Sequence, residues 1–189
     1  MTDSDREVVR AIRGGDREAL AHLVQRYQGR LFGLVLMMVR RPAAADEVTQ
    51  DAFVRAYTHI DQYDEQRPFY PWLAAIAVRL SQNWLHRQAR ATGREGTALE
   101  DAPEPSADAE ALNSLIVTER DREMWRAVAA LPSGERTAVI LYYRDELAVR
   151  DIAHALGVTT GTIKTLLFRA RRHLRKRLQA SKAIEETGP

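Results

Sequence analysis

The sequence predicts an all-α protein: two small helical domains joined by a flexible acidic linker. Three observations predict it. Large apolar residues recur every third or fourth position along several separate stretches, as on the buried face of a helix, and no stretch alternates as a half-buried strand would. Between residues 95 and 114 the chain turns to Ala, Pro, Gly and acids, with too few large apolar side chains to hold a core. Near the carboxy end, two short helical patterns meet at a glycine and run into a block of positive charge.

The elements follow in order. A first long helix is expected from Asp16, an N-cap after Gly14 and Gly15, to about Arg41, where Pro42 stops it. Its Leu20, Leu23, Val24, Tyr27, Leu31, Leu34, Val35 and Met38 fall on one face. A second helix, near Ala44 to Ile60, puts Ala45, Val48, Ala52 and Ala56 on one side and Asp46, Glu47, Gln50 and Asp51 on another. A third begins around Pro71, tolerated at a first helical position, and runs through Leu73, Ile76, Ala77, Leu80 and Trp84 to a basic end near Arg90. Beyond the linker, helix resumes near Leu115 and passes Met124, Trp125 and Val128 to Leu131, before Pro132. Another, with Ser133 as N-cap, carries Val139, Ile140, Leu141 and Tyr143 towards Leu147.

The stretch Val149 to Leu178 has helix-turn-helix spacing. A small side chain, Ala153, lets two helices cross closely; Gly157 supplies a left-handed backbone at low steric cost where the first helix ends; Ile163 pins the second helix onto the first. Any two amphipathic helices joined at a glycine would give part of this pattern, and charge separates the readings. From Lys164 through Lys182 stand Lys164, Arg169, Arg171, Arg172, Arg175, Lys176, Arg177 and Lys182, with no Asp or Glu. A merely solvated helix mixes both signs, whereas an uninterrupted cationic run suits a phosphate backbone, whose neutralisation releases counterions. Ile163, Leu167, Ala170 and Leu174 form the inner stripe of this helix, and Thr160, Thr162, Lys164, Thr165, Phe168, Arg169 and Arg172 lie on the sides not needed for packing.

The formal net charge of +2 hides segregation of this kind along the whole chain. Residues 95–117 carry six acids and no Lys or Arg, whereas residues 67–94 carry Arg67, Arg79, Arg87, Arg90 and Arg94 and no acid. Such blocks indicate segments with different partners. Absence of cysteine excludes disulfides and thiolate-ligated metals. The amino terminus lacks the apolar core of a signal peptide, and the most apolar run, Leu31 to Val39, is far shorter than the ~20 residues of a membrane helix. A cytoplasmic protein without membrane insertion is expected.

Taken together, GDREALAHLVQRYQGRLFGLV, AADEVTQDAFVRAY and RPFYPWLAAIAVRLSQNWLHRQAR in the first half, and ALPSGERTAVILYYRDELAVRDIAHALGVTTGTIKTLLFRARRHL in the second, resemble the extracytoplasmic-function (ECF) subgroup of sigma-70 type sigma factors, the dissociable subunits that direct RNA polymerase core to promoters. The resemblance spans nearly the whole chain, and the order of both blocks is more specific than either alone. It implies sigma domain 2 over residues 1–94, an acidic linker over 95–114, a helix-turn-helix sigma domain 4 over 115–182 and a tail over 183–189. It implies that Asp46, Glu47, Gln50 and Asp51 grip the clamp helices of the polymerase β′ subunit, although the same stripe also reads as an ordinary solvated face. The β subunit, promoter DNA and an anti-sigma factor are the further implied partners, and the linker is expected to lie in polymerase channels that otherwise hold nucleic acid.

For the first domain the resemblance implies capture of the non-template strand of the −10 element. Aromatic faces beside cations offset the cost of unstacking bases, and Tyr57, Tyr63, Phe69, Tyr70, Trp72 and Trp84 stand next to the basic run. Most of these rings read as core, so the −10 candidates are polar: Arg79, Gln82, Asn83, His86 and Arg87. For the second domain it implies reading of −35 duplex by Thr160, Thr162, Lys164, Thr165, Phe168, Arg169 and Arg172. The sequence departs from the family where many members carry Asn and Asp at the positions of Arg79 and Asn83, and Ser-Arg at Thr165 and Leu166; altered −10 and −35 preferences are expected.

Two other classes were weighed. A two-domain transcriptional regulator would need a receiver or ligand pocket, and the first half shows no βα alternation. An enzyme would need a nucleophile, a phosphate loop or a metal set; His22, His59, His86, His154 and His173 lack ligand spacing, and no companion base accompanies the Asp46/Glu47 carboxylates. No catalytic residue, metal or cofactor is expected.

Overall fold

The computed structural model describes residues 3–91 and 119–187, with side chains for 5–91 and 123–179. The described residues are helix and turn, with no strand among them. The chain divides into two compact units, residues 1–87 and 88–189.

In the first unit α1 (Asp3–Arg13), α2 (Leu20–Val39), α3 (Pro42–Thr58), a single 3-10 turn (Ile60–Gln62) and α4 (Phe69–Ala91) enclose one core. Leu23, Leu31, Leu34, Val35, Leu36, Met38, Ala45, Ala52, Phe69, Leu73 and Ala77 are buried there. Each large aliphatic side chain among them contributes about 1.5–3 kcal/mol relative to exposure. The expected stripe of α2 is buried at Leu23, Leu31, Leu34, Val35 and Met38 and half-buried at Leu20, Val24 and Tyr27, but every residue from Gly33 to Val39 is buried, so the second half of the helix is enclosed on all sides rather than on the one face that its spacing predicts.

The local calls of punctuation need correction. Helix α1 lies ahead of the expected first element; its few large apolar side chains share one face, with Val9 and Ile12 buried and Val8 half-buried. Polar partners distant in sequence hold it as well. The buried Asp5 carboxylate accepts from Tyr27 Oη (2.5 Å) and pairs with Arg26, Arg6 Nε donates to the Glu65 carbonyl (2.9 Å), and Arg10 pairs with the Glu65 carboxylate at 3.0 Å. Arg13 pairs with Glu65 too and donates to the carbonyls of Ile60 (2.9 Å) and Tyr63 (2.7 Å).

Asp16 accepts from the backbone N–H groups of Glu18 (2.9 Å) and Ala19 (3.2 Å), but regular helix begins only at Leu20, after one turn. At its other end α2 stops at Val39 rather than Arg41, because Arg40 turns left-handed (φ 57°). Pro42 restricts Arg41 to extended backbone (φ −135°, ψ 114°) and opens α3 instead of merely ending α2. Thus α3 runs Pro42–Thr58, not Ala44–Ile60. Helix α4 begins at Phe69, with Pro71 still in the first turn, where no intrahelical N–H bond is lost.

The second unit contains α5 (Glu119–Ala129), α6 (Ser133–Val139), a wide turn (Ile140–Arg144), α7 (Val149–Leu156) and α8 (Thr160–Thr187). Its core gathers Val128, Leu131, Ala138, Val139, Ile140, Leu141, Ile152, Ala153, Ile163, Leu167 and Ala170. Ser133 is the first residue of α6 and makes no capping bond, being preceded by Pro132 at the cap. The helix expected to run towards Leu147 continues past Val139 as one wider helical turn over Ile140–Arg144 and closes where Asp145 N–H reaches back five residues to the Ile140 carbonyl (3.0 Å). The expected linker, and the expected restart at Leu115, lie outside the described residues.

Candidate nucleic-acid interface

The helix-turn-helix is built as its residues dictate. Gly157 takes φ 68° just past α7; its N–H donates to the His154 carbonyl (3.2 Å), and Val158 N–H donates to the Ala153 carbonyl (2.9 Å). These two bonds close the helix end in the pattern that a left-handed glycine permits. Two residues later Thr159 caps α8: its Oγ1 accepts from Thr162 N–H at 3.1 Å, and its carbonyl accepts from Ile163 N–H at 3.3 Å. Ile163 is fully buried beside the equally buried Ile152, so α8 is pinned at its first turn.

From there α8 has two sides. Ile163, Leu167 and Ala170 are buried and Leu174 is half-buried, while Thr160, Thr162, Lys164, Thr165, Phe168, Arg169 and Arg172 are all exposed. At 3.6 residues per turn these seven occupy one continuous arc. Phe168 is a bare ring in its middle, 65% exposed. Thr165 Oγ1 donates to the Gly161 carbonyl (2.9 Å), so its hydrogen is spent within the helix. Arg175 and Lys176 continue the exposed side beyond the seven. Leu166, where an Arg would be usual, is half-buried against α6: a Cβ placed on Gly134 would stand 3.5 Å from Leu166 Cδ2.

In the first unit, α4 presents Arg79, Asn83, His86 and Arg87 as an exposed stripe at helical spacing, with Gln82 half-buried at its margin. The same helix is rooted in a cluster of rings at its first turn, and Trp84 is buried within the span of the stripe. Tyr63, Phe69, Tyr70 and Trp84 are buried, and Tyr57 and Trp72 are half-buried. Tyr63 stands 5.3 Å from both Phe69 and Trp72, and Tyr27 lies 5.5 Å from Tyr70. Burial pushes the Tyr63 hydroxyl up to about 12, with Asp5 adding to it; burial also raises Tyr27, followed by its hydrogen bond to Asp5. Cations sit on two of the rings: the Arg30 guanidinium is 3.9 Å from the Tyr70 centroid and that of Arg41 is 5.7 Å from Trp84.

On α3, Asp46, Glu47, Gln50 and Asp51 are exposed together, opposite the buried Ala45, Val48, Ala52 and Phe53. The exposed Val54 (62%) lies among them. Sequence reasoning passed over Val54, because one apolar residue on a polar face carries no periodic signal. It passed over Arg90, which continues the α4 stripe, and over Thr159, whose capping role a Thr three residues ahead of Thr162 allows. It also assigned Tyr143 to an apolar helical face, whereas the residue sits on the wide turn and is 51% exposed.

Residues 23–91 match the family described as Sigma-70 region 2, and residues 121–174 match Sigma-70, region 4. Among curated proteins, the chain is 30% identical over 188 residues to the ECF RNA polymerase sigma-E factor of Haemophilus influenzae, covering 93% of this chain and 96% of that one. It is 31% identical over 188 residues to the sigma-E factor of Escherichia coli K12 (93% and 95% covered). To the ECF sigma factor SigW of Bacillus subtilis it is 30% identical over 179 residues (90% and 95%). Of solved structures, CnrH in complex with the cytosolic domain of CnrY superposes with TM-score 0.70 at 23% identity, over 94% of this chain and 99% of that one. The sigma factor RpoE of Bartonella quintana, solved with the anti-sigma factor NepR, gives 0.65 at 18% identity, over 84% and 96%.

Proposed function

The chain belongs to the ECF subgroup of the sigma-70 family and directs promoter-specific initiation by RNA polymerase, and from that premise we propose how its surfaces divide the work. As a sigma factor it is not itself an enzyme; phosphodiester synthesis is carried out by the polymerase. We assign residues 1–94 as sigma domain 2, 95–114 as the linker and 115–182 as sigma domain 4. Helix α8 enters the major groove of −35 duplex, its leading Thr160, Thr162, Thr165 and Phe168 facing base edges and Lys164, Arg169 and Arg172 holding phosphates. The α4 stripe of Arg79, Gln82, Asn83, His86 and Arg87 holds the separated −10 strand, and the ring cluster at the first turn of α4 anchors the helix that carries it. Asp46, Glu47, Gln50 and Asp51 meet the β′ clamp helices. The observation that carries this reading is the pair of exposed polar stripes, one per unit, each backed by a buried apolar face.

An anti-sigma factor, the kind of partner with which the Bartonella quintana sigma factor was solved, is carried over as a proposed inhibitor. The site of action is the cytoplasm, in keeping with the absence among the described residues of any helix long and apolar enough to cross a membrane. The test is transcription from a library of genomic promoters by core polymerase with and without the full chain, with permanganate mapping of unpaired thymines. New start sites, each with reactive thymines around −10, are expected only when the chain is present. Start sites whose −10 thymines stay unreactive would overturn the assignment of melting to the first unit.

A further inference from the structure

Arg171 has no role in the surfaces assigned above, although it lies near one edge of the exposed arc of α8, between Thr160 and Lys164 around the helix. Its Nε donates to the Tyr143 hydroxyl at 2.7 Å, and its guanidinium carbon lies 5.7 Å from the Tyr143 ring centroid. Tyr143 in turn packs edge-on against Tyr142, their centroids 4.9 Å apart, on the wide turn whose Ile140 and Leu141 are buried. So an exposed Arg is held at its root by an exposed Tyr that is itself held by the core. Among the described residues no acceptor takes the Nη groups of Arg171, and the hydroxyl that accepts from Nε keeps its own hydrogen to donate.

The position around the helix gives this pair a use. Arg169 and Arg171 are two residues apart, about 200° around an α-helix, so they point to opposite sides. Lys164, Thr165, Phe168 and Arg172 lie in the arc between them. A helix in a major groove about 12 Å wide has a phosphate backbone on each flank. Arg169 faces one flank and Arg171 the other.

We propose that Arg171 and Tyr143 form a second phosphate grip, binding the DNA strand across the groove from the one that Arg169 meets. The fork of Arg171 and the Tyr143 hydroxyl donate to the same phosphate. Tyr143 is a positioning residue as well as a ligand: by fixing Nε it removes rotamer freedom that a free Arg would lose on binding, and it aims both Nη groups outward together. This rests on the reading of α8 as the −35 reader.

The experiment uses holoenzyme assembled from core polymerase and the full chain, binding a fluorescent duplex of a promoter that it transcribes, over a salt series. R171A is expected to weaken binding about three- to tenfold, to the same extent on duplexes with altered −35 bases, and to lower the slope of log K against log salt by about one unit. R171K keeps the charge but has no Nε donor, so the slope should hold while affinity falls. Y143F should likewise keep the slope and lose about threefold, and the R171A/Y143F pair should be weaker than R171A alone by less than that threefold, because the positioning share of the loss has already gone with Arg171; full additivity would show that Tyr143 does not act through Arg171. If R171A changes neither affinity nor slope while K164A changes both, this inference is overturned and the α8 reading survives. If K164A is silent as well, the α8 reading itself has failed.

Discussion

The two stripes differ in what stands behind the charge. On α8 the exposed arc carries Lys164, Arg169, Arg172, Arg175 and Lys176 in succession, and its backing is aliphatic. On α4 the cations are fewer and interleaved with Asn83 and His86, while the helix is rooted in a cluster of rings at its first turn, with Arg30 over Tyr70, and the buried Trp84, with Arg41 over it, lies within the stripe's span. A duplex offers a dense, regular array of phosphates, so charge on one helical face suffices to hold it. A separated strand offers bases whose stacking has been lost, and holding them needs a surface that does not yield. The comparison teaches that rigidity matters more to the first unit and charge more to the second.

The largest effects come from breaking the support itself. Phe69→Ala should destabilise the first unit by about 3–5 kcal/mol and Ile163→Ala the second by about 2–5 kcal/mol, since both side chains are buried and leave cavities. Urea unfolding followed by the fluorescence of Trp72 and Trp84 against that of Trp125 separates the two transitions. A loss confined to the mutated unit supports independent scaffolds, whereas equal losses in both would contradict them.

Charge is the next lever. K164A and R169A should each weaken −35 duplex binding and lower the salt slope by about one unit, while N83A should leave that slope unchanged and reduce permanganate reactivity of −10 thymines. A slope change in N83A as large as in K164A would erase the distinction between the stripes.

A third effect belongs to the ring cluster. The Tyr63 pKa is raised from 10.0 to about 12 by burial, and Tyr27 moves the same way. A group whose folded pKa lies above its unfolded one stabilises fully below the unfolded value. That stabilisation is lost as pH rises, so the first unit should weaken progressively from about pH 10 towards 12. Y63F should flatten this loss in melting curves taken across that range; an unchanged pH profile would remove Tyr63 as its source.

The smallest expected effect concerns strain. Glu146 adopts φ 53° in the turn before α7. Left-handed backbone costs an L residue roughly 1–2 kcal/mol, and glycine adds unfolded-state entropy of roughly 0.5–1 kcal/mol, so E146G should stabilise the second unit by about 0.5 kcal/mol. A shift of the urea midpoint to lower concentration would show that the Glu146 side chain contributes something the backbone angle does not reveal.

What the sequence disclosed and what it hid have a common cause. Burial was legible wherever periodicity was strong: the stripes of α2 and α8, the core rings, and the turn at Gly157 all stand where spacing predicted. Helix α1 was passed over although Val9 and Ile12 share a buried face, because they stand in a short, otherwise charged stretch; the rest of its attachment runs through Asp5, Arg13 and Glu65, whose partners lie far along the chain. The boundary at Pro42 was misread because proline both ends one helix and begins the next. The widening of the last helical turn, which leaves Tyr143 exposed, was hidden because an apolar run of Val139, Ile140 and Leu141 reads as helix of regular pitch. The candidate polar residues proved exposed because they are the complement of a well-patterned core, which says where they face and leaves their partners to experiment.

The most direct test of the division of labour splits the promoter in two. Holoenzyme carrying K164A/R169A or N83A/H86A is presented separately with a −35 duplex and with a single strand bearing the −10 element, and the dissociation constants are measured. The account predicts that the first variant loses affinity only for the duplex and the second only for the single strand. Loss of both fragments by either variant, or losses exchanged between them, would contradict it.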